Sequence, residues 1–207
     1  MSLLNSVVAP LLLPSILWRA NDNAVHLTFD DGPHPLATPK VLDILQKRDV
    51  RATFFVVGQN VLRYPEIVLR MASEGHTIGN HSQSHRRLMF QSSRAQRDEI
   101  TRANLTIEGL LNQKPHLFRP PYGYFDFRTL RLAKAEGLKV VMWDVDALDF
   151  SDSSPVHIVR RVMRSVRPGA IILQHDNDRT APIVQEYLDA LIDDLLKHGF
   201  QISAVPQ

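Results

Sequence analysis

The chain has 207 residues, enough for one domain with a sizeable core, and 44% of them are hydrophobic and 22% charged, as in ordinary globular proteins. The net charge of +2 is too small to indicate nucleic-acid binding. The chain contains no cysteine, which excludes disulfides, thiolate metal sites and a cysteine nucleophile.

The N-terminal stretch is apolar over residues 2–17, but Pro10 and Pro14 interrupt it. It has no basic start and no clear cleavage site, and it is too short and broken for stable membrane insertion. We therefore expect residues 1–23 to be a packing segment of a single domain that covers residues 1–207. An atypical signal sequence is the alternative. The lack of a convincing export signal favours a cytoplasmic location and leaves an extracytoplasmic one open.

After this stretch, segments that predict strands alternate with segments that predict helices. The predicted strands are apolar or β-branched runs at residues 25–29, 53–57, 77–80, 117–119, 140–143, 170–173 and 200–204. The predicted helices have one apolar face and cover residues 39–47, 61–73, 92–111, 127–135, 155–166 and 181–197. This alternation predicts an α/β fold with a parallel sheet of about seven strands, either closed as a barrel or open. No glycine-rich phosphate loop follows a strand, which argues against nucleotide binding.

Two adjacent carboxylates, Asp30 and Asp31, directly follow the first predicted strand and precede a Gly-Pro turn. The carboxyl ends of parallel strands share one rim, where α/β enzymes place their chemistry. Neighbouring carboxylates repel each other, so we expect a metal, an arginine or both to hold them. The alternative is that an aspartate caps the next helix.

Further polar residues follow the other predicted strands. His81 and His85 have the spacing of one helical turn, which would place both imidazoles beside one ion. With a carboxylate they would form a set that leaves coordination positions open. Arg119 lies in a stiff proline turn and could orient a carboxylate, and His175 could act as a general acid. The alternatives are surface histidines in a loop, a solvated arginine and a buried structural histidine.

Five segments occur in order: TFDDG at 28–32, HSQSH at 81–85, RPPYG at 119–123, DALDF at 146–150 and LQH at 173–175. Together they resemble the polysaccharide deacetylases, the NodB-homology domain of carbohydrate esterase family four, and the resemblance covers residues 24–205. It implies a distorted (β/α) barrel. It also implies a hydrolase that removes acetyl groups from the N-acetylglucosamine residues of an oligo- or polysaccharide, of chitooligosaccharide or peptidoglycan type.

The resemblance also implies a role for each residue. The implied ligands of Zn²⁺, or another divalent transition metal, are Asp31, His81 and His85. The implied catalytic residues are the general base Asp30 with its anchor Arg119, and the general acid His175 with its orienting partner Asp149. The implied substrate-binding residues are Tyr122, Trp143, Phe150 and Leu173. Phe150 stands where the family usually has tryptophan, which bears on substrate fit more than on chemistry.

Two other functions remain open. One is a metal-dependent amidohydrolase that acts on a small cyclic amide or ureide. The other is a catalytically silent sugar-binding domain, which Asp30 and His175 argue against because a lectin needs neither a base nor an acid. The sequence leaves open the glycan, its chain length, N- versus O-deacetylation, the native metal and the oligomeric state.

Overall fold

The computed structural model describes residues 15–206. Its nine strands are β1 (Ile16–Leu17), β2 (Ala24–Asp30), β3 (Thr53–Val56), β4 (Thr77–Asn80), β5 (Leu117–Phe118), β6 (Lys139–Val141), β7 (Val145–Asp146), β8 (Ile171–His175) and β9 (Gln201–Ile202). Its seven α-helices are α1 (Ala37–Lys47), α2 (Gly58–Arg63), α3 (Pro65–Ser73), α4 (Ser93–Leu111), α5 (Phe127–Ala135), α6 (Pro155–Ser165) and α7 (Val184–Lys197). No helix among these residues is long and apolar enough to cross a membrane.

The strands pair in parallel in the order β1-β6-β5-β4-β3-β2-β8-β7, and β9 pairs with the start of β2. The sheet is curled, because Phe55, Leu117, Val141 and Ile171, from four different strands, pack together in one interior cluster. This arrangement confirms the predicted α/β fold with a distorted (β/α) barrel.

The central strand β2 explains how the site is positioned. Its sequence AVHLTFD is buried almost throughout, as expected for a parallel strand covered on both faces. Val25, Leu27 and Phe29 belong to the large cluster that includes apolar residues of α1 and α7. Because successive side chains on a strand alternate, Thr28 and Asp30 face the other side, toward the barrel interior. The strand therefore ends with an acidic side chain at the mouth of the barrel.

Two strands of two residues each were not predicted, because neither forms a separate strand pattern in the sequence. One is β7, and the other is β1, which lies within the predicted N-terminal packing segment. Ile16 pairs with Val140 of β6, and the backbone amide of Ala20 donates to the carbonyl of Gly169 just before β8. The chain around β1 thus connects β6 with the segment before β8. Residues 1–14 lie outside the described residues, so the rest of that segment stays a prediction.

The single helix predicted over residues 61–73 is wrong, because the structure has two helices, α2 and α3. They are separated at Tyr64, whose φ and ψ are −135° and 57°. The cause is Pro65, since the proline ring disfavours the helical conformation in the residue before it.

Candidate active site

Polar side chains from the ends of several strands converge on a cleft of about 610 Å³ at the mouth of the barrel. The predicted site residues that line it are Asp30, Asp31, His81, His85, Tyr122, Trp143, Phe150, Leu173 and His175. The two remaining predicted residues, Arg119 and Asp149, are buried and contact lining residues from behind. The structure therefore brings all eleven predicted residues into one region.

Asp31, His81 and His85 form a compact set of metal-binding groups. Their ligand atoms all lie within 4.8 Å of one another. The Nε2 atoms of His85 and His81 are 3.0 Å and 3.7 Å from Oδ1 of Asp31. The Nδ1 atom of His81 donates to the carbonyl of Arg119 at 2.7 Å, which leaves its Nε2 lone pair directed at the set. Two imidazoles and one carboxylate fit a catalytic zinc-type site with open positions.

The two histidines are not on a helical turn, so that part of the prediction is wrong. Ser82 and His85 have φ values of 67° and 57°, in the left-handed region. The loop is instead held by side chains, because Asn80 Oδ1 accepts from the Ser82 amide and Ser82 Oγ accepts from the His85 amide. The imidazole centroids are still 4.9 Å apart. The helix-capping alternative for the aspartates is also wrong, since the N-cap residue of α1 is Leu36.

The protonation states suit metal binding. Burial lowers the pKa of His81 to about 4, so its imidazole is neutral at pH 7 and has a lone pair to donate. Burial by itself raises the pKa of Asp31, but the hydrogen bond from His85 and the nearby imidazoles outweigh it and hold that pKa well below its ordinary value. Asp31 is therefore a carboxylate over the whole neutral range.

Asp30 is fixed by a buried arginine. Nη1 of Arg119 donates to Oδ1 of Asp30 at 2.8 Å and to the hydroxyl of Thr28 at 2.7 Å. The other guanidinium nitrogens donate to the carbonyls of Val141 and Met142, and the Arg119 side chain is fully buried. The second oxygen of Asp30, Oδ2, lies 3.7 Å from Nε2 of His81. One carboxylate oxygen is thus anchored while the other faces the metal-binding set.

His175 is fixed by a buried carboxylate. Asp149 accepts from its Nδ1 and from its backbone amide, both at 2.8 Å, and also from the hydroxyl of Tyr187 at 2.9 Å. Burial alone lowers the pKa of His175, but the hydrogen bond and the charge of Asp149 outweigh burial and raise that pKa to about 9. The imidazole is therefore protonated at neutral pH, and its Nε2–H is available to the cleft.

A carboxylate held by an arginine and an imidazolium held by a carboxylate thus border one metal-binding set. The sequence model of the polysaccharide deacetylase family matches residues 19–141. The chain is 38% identical over 196 residues to a chitooligosaccharide deacetylase of Bradyrhizobium sp. (strain ANU 289), which covers 89% of this chain and 90% of that protein. The chain belongs to the polysaccharide deacetylase family. The predicted family resemblance is confirmed.

Other relatives of this polysaccharide deacetylase differ in substrate and in activity. The present chain is 39% identical to the peptidoglycan-N-acetylmuramic acid deacetylase PdaC of Bacillus subtilis. The matched region covers 90% of the present chain but only 39% of the length of PdaC. The Bc1960 peptidoglycan N-acetylglucosamine deacetylase superposes with a TM-score of 0.89 at 34% identity, over 93% of this chain and 91% of that one. Wild-type BA3943 of Bacillus anthracis, described as a pseudoenzyme, superposes with a TM-score of 0.84 at 32% identity, over 91% and 66%.

The walls of the deacetylase cleft are aromatic. The Tyr122 ring packs on His85 with centroids 4.5 Å apart, and Phe150 makes an edge contact with His175 at 5.2 Å. Tyr122 has a φ of 60°, and its backbone amide donates no hydrogen bond to any described residue. Phe150 lines the cleft but presents no N–H to it.

Sequence reasoning missed several residues that support the site. Asn177 donates from Nδ2 to Oδ2 of Asp31, and Asn60 donates to the Asp31 carbonyl, both at 2.8 Å. Tyr187 supports Asp149 from α7. Asn177 follows His175 by two residues and could have been found as part of that polar run. Asn60 and Tyr187 lie in helical patterns that give no such signal.

Proposed function

We propose that this protein is a zinc-dependent N-deacetylase that removes acetyl groups from the N-acetylglucosamine residues of an oligo- or polysaccharide. The observation that carries the proposal is the grouping of Asp31, His81 and His85 beside a carboxylate and an imidazolium with separate buried partners. The carboxylate of Asp30 is paired with Arg119 and the imidazolium of His175 is paired with Asp149, so one site holds a separate base and a separate acid, as hydrolysis at neutral pH requires. The substrate class, N-acetylated sugars, is taken from the names of the relatives, which are chitooligosaccharide and peptidoglycan deacetylases.

Asp31, His81 and His85 would hold the metal. A divalent ion in such a set supplies a Lewis acid for the acetyl carbonyl and lowers the pKa of water. The neutral imidazole of His81 and the carboxylate of Asp31 fit that requirement without any change of protonation. Zn²⁺ is the first choice because nitrogen and oxygen donors of this kind suit it.

Asp30 takes the proton of the attacking water. Its Oδ1 is committed to Arg119, and Oδ2 is the oxygen that remains for the water. The anchoring hydrogen bond fixes the orientation of the carboxylate, so that Oδ2 stays on the side of the metal-binding set. The nearness of Oδ2 to Nε2 of His81, 3.7 Å, supports this assignment.

His175 gives its proton to the departing amine. An amine that leaves without a proton is a very poor leaving group, so a positioned acid accelerates this step strongly. The Asp149 carboxylate keeps His175 protonated and fixes its ring. The amide of Tyr122 is the donor that we assign to the developing oxyanion, since it has no other acceptor among the described residues.

Two alternatives have weaker support. A cyclic-amide hydrolase is disfavoured by the sugar deacetylases among the relatives. A silent domain like the Bacillus anthracis pseudoenzyme would have no use for two buried charge pairs, Asp30–Arg119 and Asp149–His175, which cost free energy to desolvate.

The test is acetate release from N-acetylglucosamine oligomers and peptidoglycan strands, with Asp30→Asn as the paired variant. We expect release by the wild-type protein and a loss of at least about 100-fold in the variant, in line with the usual contribution of a general base. Wild-type binding without release would establish a silent domain. Release from cyclic amides alone would establish the other hydrolase, and an unimpaired variant would remove Asp30 from its role.

A further inference from the structure

Two arginines line the cleft and have no part in the proposed mechanism. Arg87 lies two residues after His85, and Arg179 lies four residues after His175. Both side chains are exposed to solvent in the described structure. Neither forms an ion pair within 4.0 Å with an acidic residue of the described range. A cleft for a neutral glycan needs neither cation.

The acidic residues of the cleft do not explain them. Asp30 is paired with Arg119, and Asp31 is bonded to His85 and Asn177. The remaining acid of the lining, Asp146, accepts from the backbone amide of Leu148 at 2.9 Å. Each acidic group in the lining therefore already has a hydrogen-bond partner, and neither arginine is the partner of any of them.

Arg87 is held in place without using its hydrogen-bond donors. Its guanidinium carbon lies 5.1 Å from the ring centroid of Tyr122 and 5.4 Å from that of Tyr124. Tyr122 packs in turn on His85, which connects Arg87 to the metal-binding set. Stacking on aromatic rings fixes the guanidinium plane, and no side-chain hydrogen bond from Arg87 is found among the described residues. Its N–H edges are free for a ligand.

Arg179 is held more loosely on the side of the general acid. Its Nη1 is 3.5 Å from the carbonyl of Phe150, whose ring contacts His175. Arg87 therefore lies beside the loop that carries His85, and Arg179 lies on the side of His175. We treat Arg87 as the principal residue because two rings restrain it and Arg179 has a single long contact.

We infer that Arg87 is a specificity-determining residue that binds a carboxylate on the sugar next to the one that is deacetylated. The inference rests on the proposed function. A planar guanidinium with free N–H edges binds a carboxylate through two parallel hydrogen bonds, whereas a neutral hydroxyl gains much less from it. The carboxylate can come from a lactyl ether on the neighbouring sugar or from a peptide attached to it.

The test compares four substrates of equal chain length in the zinc-loaded protein. They are an N-acetylglucosamine oligomer, a peptide-free strand that alternates N-acetylglucosamine with N-acetylmuramic acid, the same strand with the lactyl carboxylate converted to an amide, and the peptide-bearing strand. The key variant is Arg87→Gln. Arg86→Gln is the matched control, because Arg86 is an exposed neighbour in the same loop that does not line the cleft.

We expect Arg87→Gln to raise KM for the carboxylate-bearing strand by about 10-fold or more, as for loss of one charge-assisted pair, and to leave kcat within about twofold. KM for the neutral oligomer should change by less than about twofold, and Arg87→Lys should recover part of the loss. Arg86→Gln should behave as wild type. If the amidated strand behaves as the neutral oligomer, the lactyl carboxylate is the partner; if only the peptide-bearing strand responds, the peptide is.

Equal losses on neutral and acidic substrates would reduce Arg87 to a structural role and overturn the inference. Calorimetric binding of the same strands separates this failure from failure of the proposed function. If no acetate is released but Arg87→Gln weakens binding of the acidic strand alone, Arg87 is established as a carboxylate-binding residue and the proposed function fails. If neither binding nor KM distinguishes acidic from neutral strands, the inference fails whatever the activity.

Discussion

Replacing Asp149 by asparagine keeps the shape of the side chain behind His175 and removes its charge. The wild-type carboxylate is buried and accepts three hydrogen bonds, two of them from His175. It is the main group that raises the pKa of His175 to about 9, with smaller contributions from the charges of Asp31 and Asp30. Without Asp149, only those smaller contributions oppose burial, so the pKa of His175 falls toward its ordinary value of 6.5.

The size of the effect follows from the protonated fraction of His175. At pH 8 a group with a pKa of about 9 is ~90% protonated, whereas a group with a pKa of 6.5 is ~3% protonated. The active fraction therefore falls by up to about 30-fold at pH 8, but at pH 5.5 it falls by no more than about 10%. A protonation effect thus gives a loss that depends strongly on pH.

The assay is kcat/KM for acetate release from an N-acetylglucosamine oligomer between pH 5 and 10. The basic limb should move from near pH 9 in the wild type toward pH 6.5 in Asp149→Asn. An activated aryl acetate needs no proton on its leaving group, so its hydrolysis should be much less affected. Tyr187→Phe is the matched control, because it removes one hydrogen bond to Asp149 but keeps the charge.

A basic limb that stays near pH 9 in Asp149→Asn would refute this reasoning. So would an equal loss at every pH, which would indicate misfolding or displacement of His175 rather than loss of its proton. Urea unfolding of both variants identifies a folding defect independently of activity.

Arg119→Met should lower the free energy of unfolding by about 3–5 kcal/mol, because it leaves the buried Asp30 carboxylate without its cation. The double variant with Asp30→Asn should be more stable than the single one in urea denaturation, and the reverse order would contradict the pairing. Gly32→Ala should destabilise the protein by about 1–3 kcal/mol, because the added Cβ would clash with Oδ2 of the buried Asp176. Gly109→Ala in α4 should instead stabilise it by about 0.5–1 kcal/mol, since no atom lies within 4 Å of the new Cβ, and melting shifts of the same sign would refute this contrast.

Sequence patterns were most informative where a residue stands at the end of a buried strand. Asp30 and His175 each stand at the end of a predicted parallel strand, which predicts that they share one rim, and the structure pairs them in register on β2 and β8. The same argument brings Arg119 there from the end of β5. Residue chemistry suggested a general acid at His175 and a carboxylate partner for Arg119, whereas the role of Asp30 as the base came from the family resemblance.

Other features of the structure leave no local pattern in the sequence from which they could be predicted. The loop of His81 and His85 depends on left-handed backbone conformations held by Asn80 and Ser82, which a spacing of four residues does not reveal. Two-residue strands such as β1 and β7 are defined by pairing with distant segments. The stacking of Arg87 on two tyrosines that are 35 and 37 residues later in the chain is likewise a tertiary contact.

The most direct test of the central claim is removal and return of the metal, measured by acetate release. We predict that the chelated protein releases no acetate and that about one equivalent of Zn²⁺ restores activity, because Asp31, His81 and His85 form one site. His85→Ala should neither retain zinc nor recover activity, and the exposed His116→Ala should behave as wild type. Full activity of the chelated protein, or unchanged zinc binding by His85→Ala, would contradict the account.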